Sequence, residues 1–342
     1  MGRSITASRV RSTGDRPRIE DVAALAGTTA ITVSRALHRP EKVAAETRRK
    51  VLEAVAALGY IPNLAASALA SRRSRILALV VPTIANSVFA DTVHGFSDAV
   101  TAAGLQLLLG QGTYAPETEH RLLTALVGRR PDAIAVIGIV RRTETRELLR
   151  RAGVPIAEIW DLTATPIDLV VGFSNRAAGH AMTRFLVGRG RRHIAFVGGD
   201  DDRAAARRDG YAAALGESGL APGGADIRVA DISYGAGRRA LRALLEAAPA
   251  VDAAFFATDV LAVGALLECR EMGIAVPGRI AIAGLGDLEI ARELSPALTT
   301  VRVPSYDIGR RAAELLLARI AGDAVASAVT DLGFEIIARE SA

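Results

Sequence analysis

Ile19 to Leu37 reads IEDVAALAGTTAITVSRAL. Ile19, Val22, Ala23 and Ala26 recur at three- and four-residue spacing, Gly27 interrupts the run, and Val33, Ala36 and Leu37 resume it. The pattern predicts two short helices about a sharp turn, a helix-turn-helix. Ala23 is small enough for the helices to approach closely, and Gly27 can take the positive φ that such a turn demands. Thr29 is placed to cap the second helix. Val33 and Leu37 would then face inward, while Ile31 and Arg35, four apart, share the face left for a partner. For a helix-turn-helix that partner is the major groove of DNA. An ordinary amphipathic helix pair has the same spacing, so the rest of the chain decides between them.

The chain has 342 residues, 50% of them apolar, which is enough for two or three domains with sizeable cores. No run reaches the ~18 uninterrupted apolar residues of a membrane span. The N-terminus, MGRSITASRVRSTGDRPR, has charge but no apolar signal-peptide core. A soluble, cytoplasmic protein with no membrane partner is expected. One cysteine, Cys269, excludes an internal disulfide and lies in a helical apolar pattern, as a buried thiol would. His38, His94, His120, His180 and His193 are scattered without metal-ligand spacing, so no metal and no cofactor is expected. Net charge is +5, but residues 1–75 carry 14 Lys and Arg against 6 Asp and Glu, and the remainder 28 against 31. Positive charge is thus concentrated around the helix-turn-helix, as a polyanion-binding head requires. Arginine replaces lysine along the whole chain, Lys42 and Lys50 being the only lysines; that bias is no adaptation to DNA.

Residues 1–17 are polar, basic and without periodicity, and read as a flexible extension able to touch phosphates, or as a plain tail. After the helix-turn-helix, ETRRKVLEAVAALGY places Val51, Val55 and Leu58 at helical spacing and ends at Gly59. So small a three-helix core makes a marginal unit. NLAASALAS follows, with Asn63 as a cap and Leu69 as its one large apolar residue. Nine residues are too few for an isolated helix, so this segment reads as a hinge that folds against DNA or a second copy, or as an unstructured linker. From Arg75 short apolar strands alternate with amphipathic helices, in one series from ILALVVP to VPIAEIW and a second from DLVVGF to RIAIAGLG. Such alternation predicts parallel sheets covered by helices, here in two similar lobes. Ligands bind beyond the carboxyl ends of such strands, which directs attention to the loops TIANSVF, WDLTATP, FSNRAAG, GGDDDRAAARRDG, ATDV and GLGD. They are polar without a catalytic pattern.

Head, hinge and two-lobed body together resemble the LacI family of bacterial repressors, over nearly the whole chain from Arg18. The resemblance is carried by IEDVAALAGTTAITVSRAL, GYIPNLAASALAS, VVPTIANSVFADTVHGF, FATDVLAVGAL and LSPALTTVRVP. VVPTIANSVFA, EIWD, PIDLVVGFSN and GRGRRHIAFVGG look most like gluconate-utilisation repressors. The resemblance implies a small all-α helix-turn-helix head at 18–63 after the extension at 1–17, and a hinge helix and linker at 64–74. It implies a two-lobed α/β periplasmic-binding-protein-like core with parallel sheets, lobe 1 at 75–173 plus 304–329 and lobe 2 at 174–303 plus 330–342. It also implies a cytoplasmic homodimer on a near-palindromic operator, associated with the bacterial nucleoid when bound.

Carried over position by position, Ala30 and Ile31 open the recognition helix and Arg35 is its base-reading arginine, with Thr29, Ser34, Asn63 and Ala66 completing the DNA-contacting set. An arginine there grips guanine bidentately, whereas Ala and Ile meet thymine methyls or exclude other bases. Leu69 would be the minor-groove wedge at the operator centre. Family members carry Ser or Thr where this chain has Arg18 and Ala44, which removes two caps. In the core, Arg207, three residues before Gly210, matches the family's effector-holding arginine; a surface arginine is the plainer reading. Asn86, Phe89, Trp160, Asp161, Phe173 and Asp259 are further pocket candidates, with Trp160 stacking on a sugar or filling core. Where sugar-binding relatives place an aspartate, this chain has Gly286 followed by Asp287. A missing carboxylate beside a retained arginine favours an anionic effector such as the sugar acid gluconate.

The expected protein is a repressor released by such an effector and not an enzyme. A co-repressor acting through the same pocket gives the opposite sign. A free solute-binding protein is disfavoured by the helix-turn-helix. Gly235 to Ala240 matches a GxGxxA dinucleotide fingerprint, but late in the second lobe and not in a first βα unit. Asp200, Asp201 and Asp202 read as a solvated acidic loop before they read as a metal site.

Overall fold

The computed structural model describes residues 17–61, 73–84, 87–221 and 226–342. The expected extension up to residue 16, the hinge helix with Asn63, Ala66 and Leu69, and Asn86 lie outside the described residues. The chain forms two units, residues 1–74 and 75–342.

The first unit holds α1 (Ile19–Leu25), α2 (Ala30–His38) and α3 (Ala45–Leu58). Val22, Ala23, Ala26, Val33, Ala36, Val51 and Ala54 are buried together, with Leu37, Val55 and Leu58 packed against them. Gly27 has φ +64°, and a Cβ there would meet nothing within 4 Å, so the turn requires glycine for its backbone alone. Thr29 Oγ1 accepts from the Thr32 amide at 3.3 Å, capping α2. At α1 only the reciprocal half of a capping box is present: the Arg18 side chain caps nothing, while Asp21 accepts from the Arg18 amide at 2.8 Å. Ala44, exposed before α3, offers no such atom. Ala44→Ser is therefore expected to stabilise the head by about 1 kcal/mol, measured as slower hydrogen exchange of the α3 amides in the full chain.

The second unit runs β1 (Ile76–Val81), α4 (Ala90–Ala102), β2 (Gln106–Gln111), α5 (Pro116–Gly128), β3 (Ala133–Ile137), α6 (Thr143–Ala152), β4 (Ile156–Ile159), β5 (Leu169–Gly172) and α7 (Asn175–Gly188). It continues with β6 (Ile194–Gly198), α8 (Asp202–Glu217), β7 (Ile227–Arg228), α9 (Tyr234–Ala247), β8 (Ala253–Phe256), α10 (Asp259–Glu271), β9 (Ala281–Gly286) and α11 (Glu289–Glu293). β10 (Thr299–Arg302), α12 (Ser305–Ala321), β11 (Val329–Asp331) and β12 (Glu335–Ile337) complete it. Two six-stranded sheets result, ordered β11-β5-β4-β3-β1-β2 and β12-β10-β9-β8-β6-β7. The first is parallel throughout. The second ends in an antiparallel edge, Thr300 opposite Ile337, because β12 enters directly from the other lobe without a crossover helix.

Strands β3, β4, β5, β6 and β8 are buried along their whole length, which is why they read as apolar runs and not as alternations. The chain passes between sheets three times, after β5, after β10 and after β11. Helix α12 thereby packs on α4 and on β3, β4 and β5 of the first sheet.

The helix pair α7 and α8, which carries Arg207, is set by two glycines. A Cβ on Gly179 would lie 2.1 Å from the Arg207 carbonyl oxygen, and one on Gly210 1.9 Å from that of Arg176. α7 and α8 thus meet backbone to backbone. Gly210→Ala is expected to cost about 1–3 kcal/mol by forcing them apart, seen as a lower thermal midpoint.

Candidate functional site

Helix α2 presents one face to its core and the other to solvent. Val33 is 0% exposed and Ala36 is buried, whereas Ile31 is 65% exposed. Thr29 and Arg35 are exposed with it, and Ala30 and Ser34 are half-buried at its margin. An isoleucine and an arginine side by side on the free side of a helix-turn-helix fit an interface with DNA, the apolar side chain meeting the groove floor and the cation a base edge or phosphate.

In the second unit a cleft partly open to solvent is lined by loops from both sheets. Val88, Phe89, Tyr114 and Trp160 come from the first; Asp201, Arg203, Arg207, Ile232, Thr258 and Leu285 are among the lining residues of the second. Each follows or ends a strand, as expected for parallel sheets.

Arg207 is 5% exposed. Its Nε donates to Asn175 Oδ1 at 2.9 Å and its Nη1 to the Ala257 carbonyl at 2.7 Å. Both acceptors are neutral, and no carboxylate among the described residues is within ion-pair distance of it. Burial pulls this guanidinium down to about 10, against the opposing effect of the Asp201 charge, so it stays a cation at neutral pH. Asn175 in turn donates from Nδ2 to the Trp160 carbonyl at 3.0 Å. Trp160 Nε1 donates to Thr92 Oγ1 at 2.8 Å, and the Thr92 hydroxyl to the Ser305 carbonyl at 3.0 Å. A buried hydrogen-bonded chain therefore joins the lobe-2 arginine to the α4–α12 pair of the first lobe.

Trp160 is 1% exposed, edge-on to Phe89 with ring centroids 4.9 Å apart and to Phe173 at 6.1 Å. It is a core residue with one edge on the cleft. Phe173 lies behind it and does not line the cleft, and neither does Asp161, which is 8% exposed and accepts from the Leu162 amide. Two more expected residues stand apart. Asp259 is 0% exposed, accepts from the Thr300 hydroxyl and the Leu288 amide, and is raised by burial to about 6. Asp287 is held by Arg302 Nε at 2.8 Å and by Arg339, with its side chain 3% exposed. Burial works against its charge, but those two arginines hold its carboxyl below the ordinary range.

The sequence does not single out Tyr114, Asn175, Arg203 or Thr258, and marks Asp201 only as part of an acidic loop. All but Tyr114 lie in loops that it had marked, FSNRAAG, GGDDDRAAARRDG and ATDV. The acidic run is dispersed in space: Asp200 pairs with Arg228, Asp201 caps α8, and Asp202 pairs with Arg141. The glycine fingerprint also has a packing cause, since a Cβ on Gly237 would lie 2.1 Å from the Leu261 carbonyl oxygen where α9 crosses α10.

A helix-turn-helix followed by a two-lobed ligand-binding core defines a ligand-responsive DNA-binding regulator. Residues 18–63 match the lacI family of bacterial regulatory proteins and residues 183–342 the periplasmic binding protein-like domain. The chain belongs to the LacI family. It is 38% identical over 333 residues to the HTH-type transcriptional regulator GntR of Pseudomonas aeruginosa, covering 97% of each chain. It is 35% identical over 322 residues to the regulator GntR of Escherichia coli, covering 94% of this chain and 97% of that one. A LacI family transcriptional regulator from Silicibacter pomeroyi superposes with TM-score 0.88 at 32% identity, over 95% of this chain and 99% of the other. These relatives are regulators, not enzymes. Operator DNA, a small-molecule effector and a second copy of the chain are the partners of such proteins. No helix among the described residues is long and apolar enough to cross a membrane.

Proposed function

We propose that this protein is a cytoplasmic repressor that grips a near-palindromic operator as a homodimer, associates with the nucleoid in that state, and is released when a sugar-acid anion such as gluconate binds between its lobes. The carrying observation is Arg207: a guanidinium 5% exposed, bonded among the described residues only to neutral acceptors, and lining the cleft. Burying a cation with no carboxylate in contact with it is costly, because the Asp201 charge acts on it only from a distance, and an anionic ligand offsets that cost where a neutral one does not. Trp160, Phe89 and Tyr114 supply the apolar wall that a sugar chain's C–H faces require.

In this reading residues 18–63 form the DNA-binding head and 64–74 the hinge and linker. The two lobes are 75–173 plus 304–329 and 174–303 plus 330–342. Arg35 reads a base, Ala30 and Ile31 meet thymine methyls, and Thr29, Ser34, Asn63 and Ala66 position the backbone; Leu69 wedges the minor groove. Asn86 contributes to the pocket and Phe173 backs Trp160 from behind it, whereas Asp161, Asp259 and Asp287, the last two held by Thr300 and by Arg302 and Arg339, take no part in holding the ligand. Effector binding shifts the population of the closed core, and the chain from Arg207 through Asn175, Trp160 and Thr92 gives that shift a route to the first lobe. Titration calorimetry of the full chain tests the ligand class. Gluconate is expected to bind at least a hundred-fold more tightly than glucose; tighter binding of the neutral sugar would sink the reading.

A further inference from the structure

The cleft contains a second arginine that the Arg207 argument leaves unused. Arg203 sits in the first turn of α8, four residues before Arg207, so the two side chains share a helix face. It is 7% exposed and lines the cleft. Its Nε lies 3.4 Å from Asp201 Oδ1, but its Nη1 is buried with no hydrogen-bond partner among the described residues. Two rings of the other lobe face the guanidinium, Phe89 at 5.2 Å and Tyr114 at 5.7 Å to the ring centroids. They stabilise the cation and exclude water from it but do not satisfy the Nη1 donor. A buried donor left unmade is among the rarer features of a folded protein, and this one borders the cleft, where a ligand can supply the acceptor.

Charge decides which acceptor fits. Among the described residues the charged side chains lining the cleft are Arg203, Arg207 and Asp201, one net positive charge. Burial works against the Asp201 carboxylate, but Arg203, Arg207 and the Ala204 amide hold its pKa below the ordinary range, so it is ionised at neutral pH. One ligand charge neutralises the set, and a second would face Asp201 uncompensated. Resting on the sugar-acid reading above, we propose that Arg203 is a second anion-binding residue, sharing the effector carboxylate with Arg207. The pocket then selects a singly charged aldonate over neutral sugars and over doubly charged aldarates or phosphorylated sugar acids.

Calorimetry on the full chain with gluconate, glucarate and 6-phosphogluconate tests this. The wild type is expected to bind gluconate at least ten-fold more tightly than either multiply charged acid. Arg203→Gln, which keeps the stem and loses the charge, is expected to weaken gluconate roughly ten- to hundred-fold with operator affinity unchanged. Asp201→Asn, which still caps α8, is expected to narrow the gap between gluconate and glucarate. Unchanged gluconate affinity in Arg203→Gln, or equal affinity of the wild type for gluconate and glucarate, overturns the proposal while the sugar-acid reading stands. A wild type that binds no sugar acid overturns that reading and this one with it. The wild-type comparison needs no variant, so a substitution that fails to fold does not remove the test.

Discussion

Replacing Arg207 with Ala is expected to leave operator binding intact and to lower effector affinity by roughly 10²–10⁴-fold, the loss of two charge-assisted hydrogen bonds at ~1.5–3 kcal/mol each. The fold should tolerate it. Removing the side chain strands Asn175 Oδ1 and the Ala257 carbonyl, which Arg207 now satisfies. It also removes a buried cation without an ion-pair partner among the described residues, and the vacated space adjoins an open cleft where water can reach both acceptors. The two effects oppose each other, so a change in stability of at most about 1–2 kcal/mol is expected. Arg207→Lys separates charge from geometry: the ammonium keeps the charge but lacks the planar fork, so it should recover only part of the affinity. Calorimetry with gluconate and operator binding by anisotropy check both halves. Loss of operator binding in a folded Arg207→Ala protein would contradict the division of labour between head and core.

The second large effect is expected at Arg35. Arg35→Ala should abolish preference for the operator over unrelated DNA while leaving weak, strongly salt-dependent binding. A bidentate arginine–guanine contact is worth ~1–3 kcal/mol, and a dimer on a near-palindrome makes it twice, giving a loss of roughly 30- to 10⁴-fold. Stability should change by no more than about 0.5 kcal/mol, because Arg35 is exposed and its side chain makes no hydrogen bond or ion pair among the described residues, while its carbonyl bond to the Arg39 amide survives the substitution. Binding to operator and scrambled duplexes across a salt series measures this. A uniform loss on both duplexes would make Arg35 a phosphate contact and not a base reader.

The parts of this protein legible in its sequence are those written at short range. The helix-turn-helix follows from the spacing of Val22, Ala26 and Val33 around Gly27, whose φ of +64° the turn requires. The parallel sheets follow from short apolar runs that alternate with helices, since strands covered on both faces lose the two-residue alternation. Arg207 is marked by the family resemblance and not by a local pattern, and Gly210 three residues on, where α8 touches α7, fixes its place in that resemblance. What stayed hidden depends on contacts far apart in the chain. Asp287 reads as a pocket residue in the loop GLGD, yet Arg302 and Arg339, 15 and 52 residues away, claim its carboxylate. Arg203 looks like one of several arginines on an Arg-rich helix until Phe89 and Tyr114 of the other lobe are seen against it. The antiparallel β12 edge depends on a crossing from the first lobe that no local pattern announces.

Fluorescence anisotropy of the full chain on DNA from its own upstream region, titrated with gluconate, related sugar acids and neutral sugars, tests the central claim most directly. Release of the DNA by a singly charged sugar acid, with no response to glucose, is the predicted result. DNA binding that no acid weakens would contradict induction by an anionic effector, and binding strengthened by one would reverse its sign and make the ligand a co-repressor.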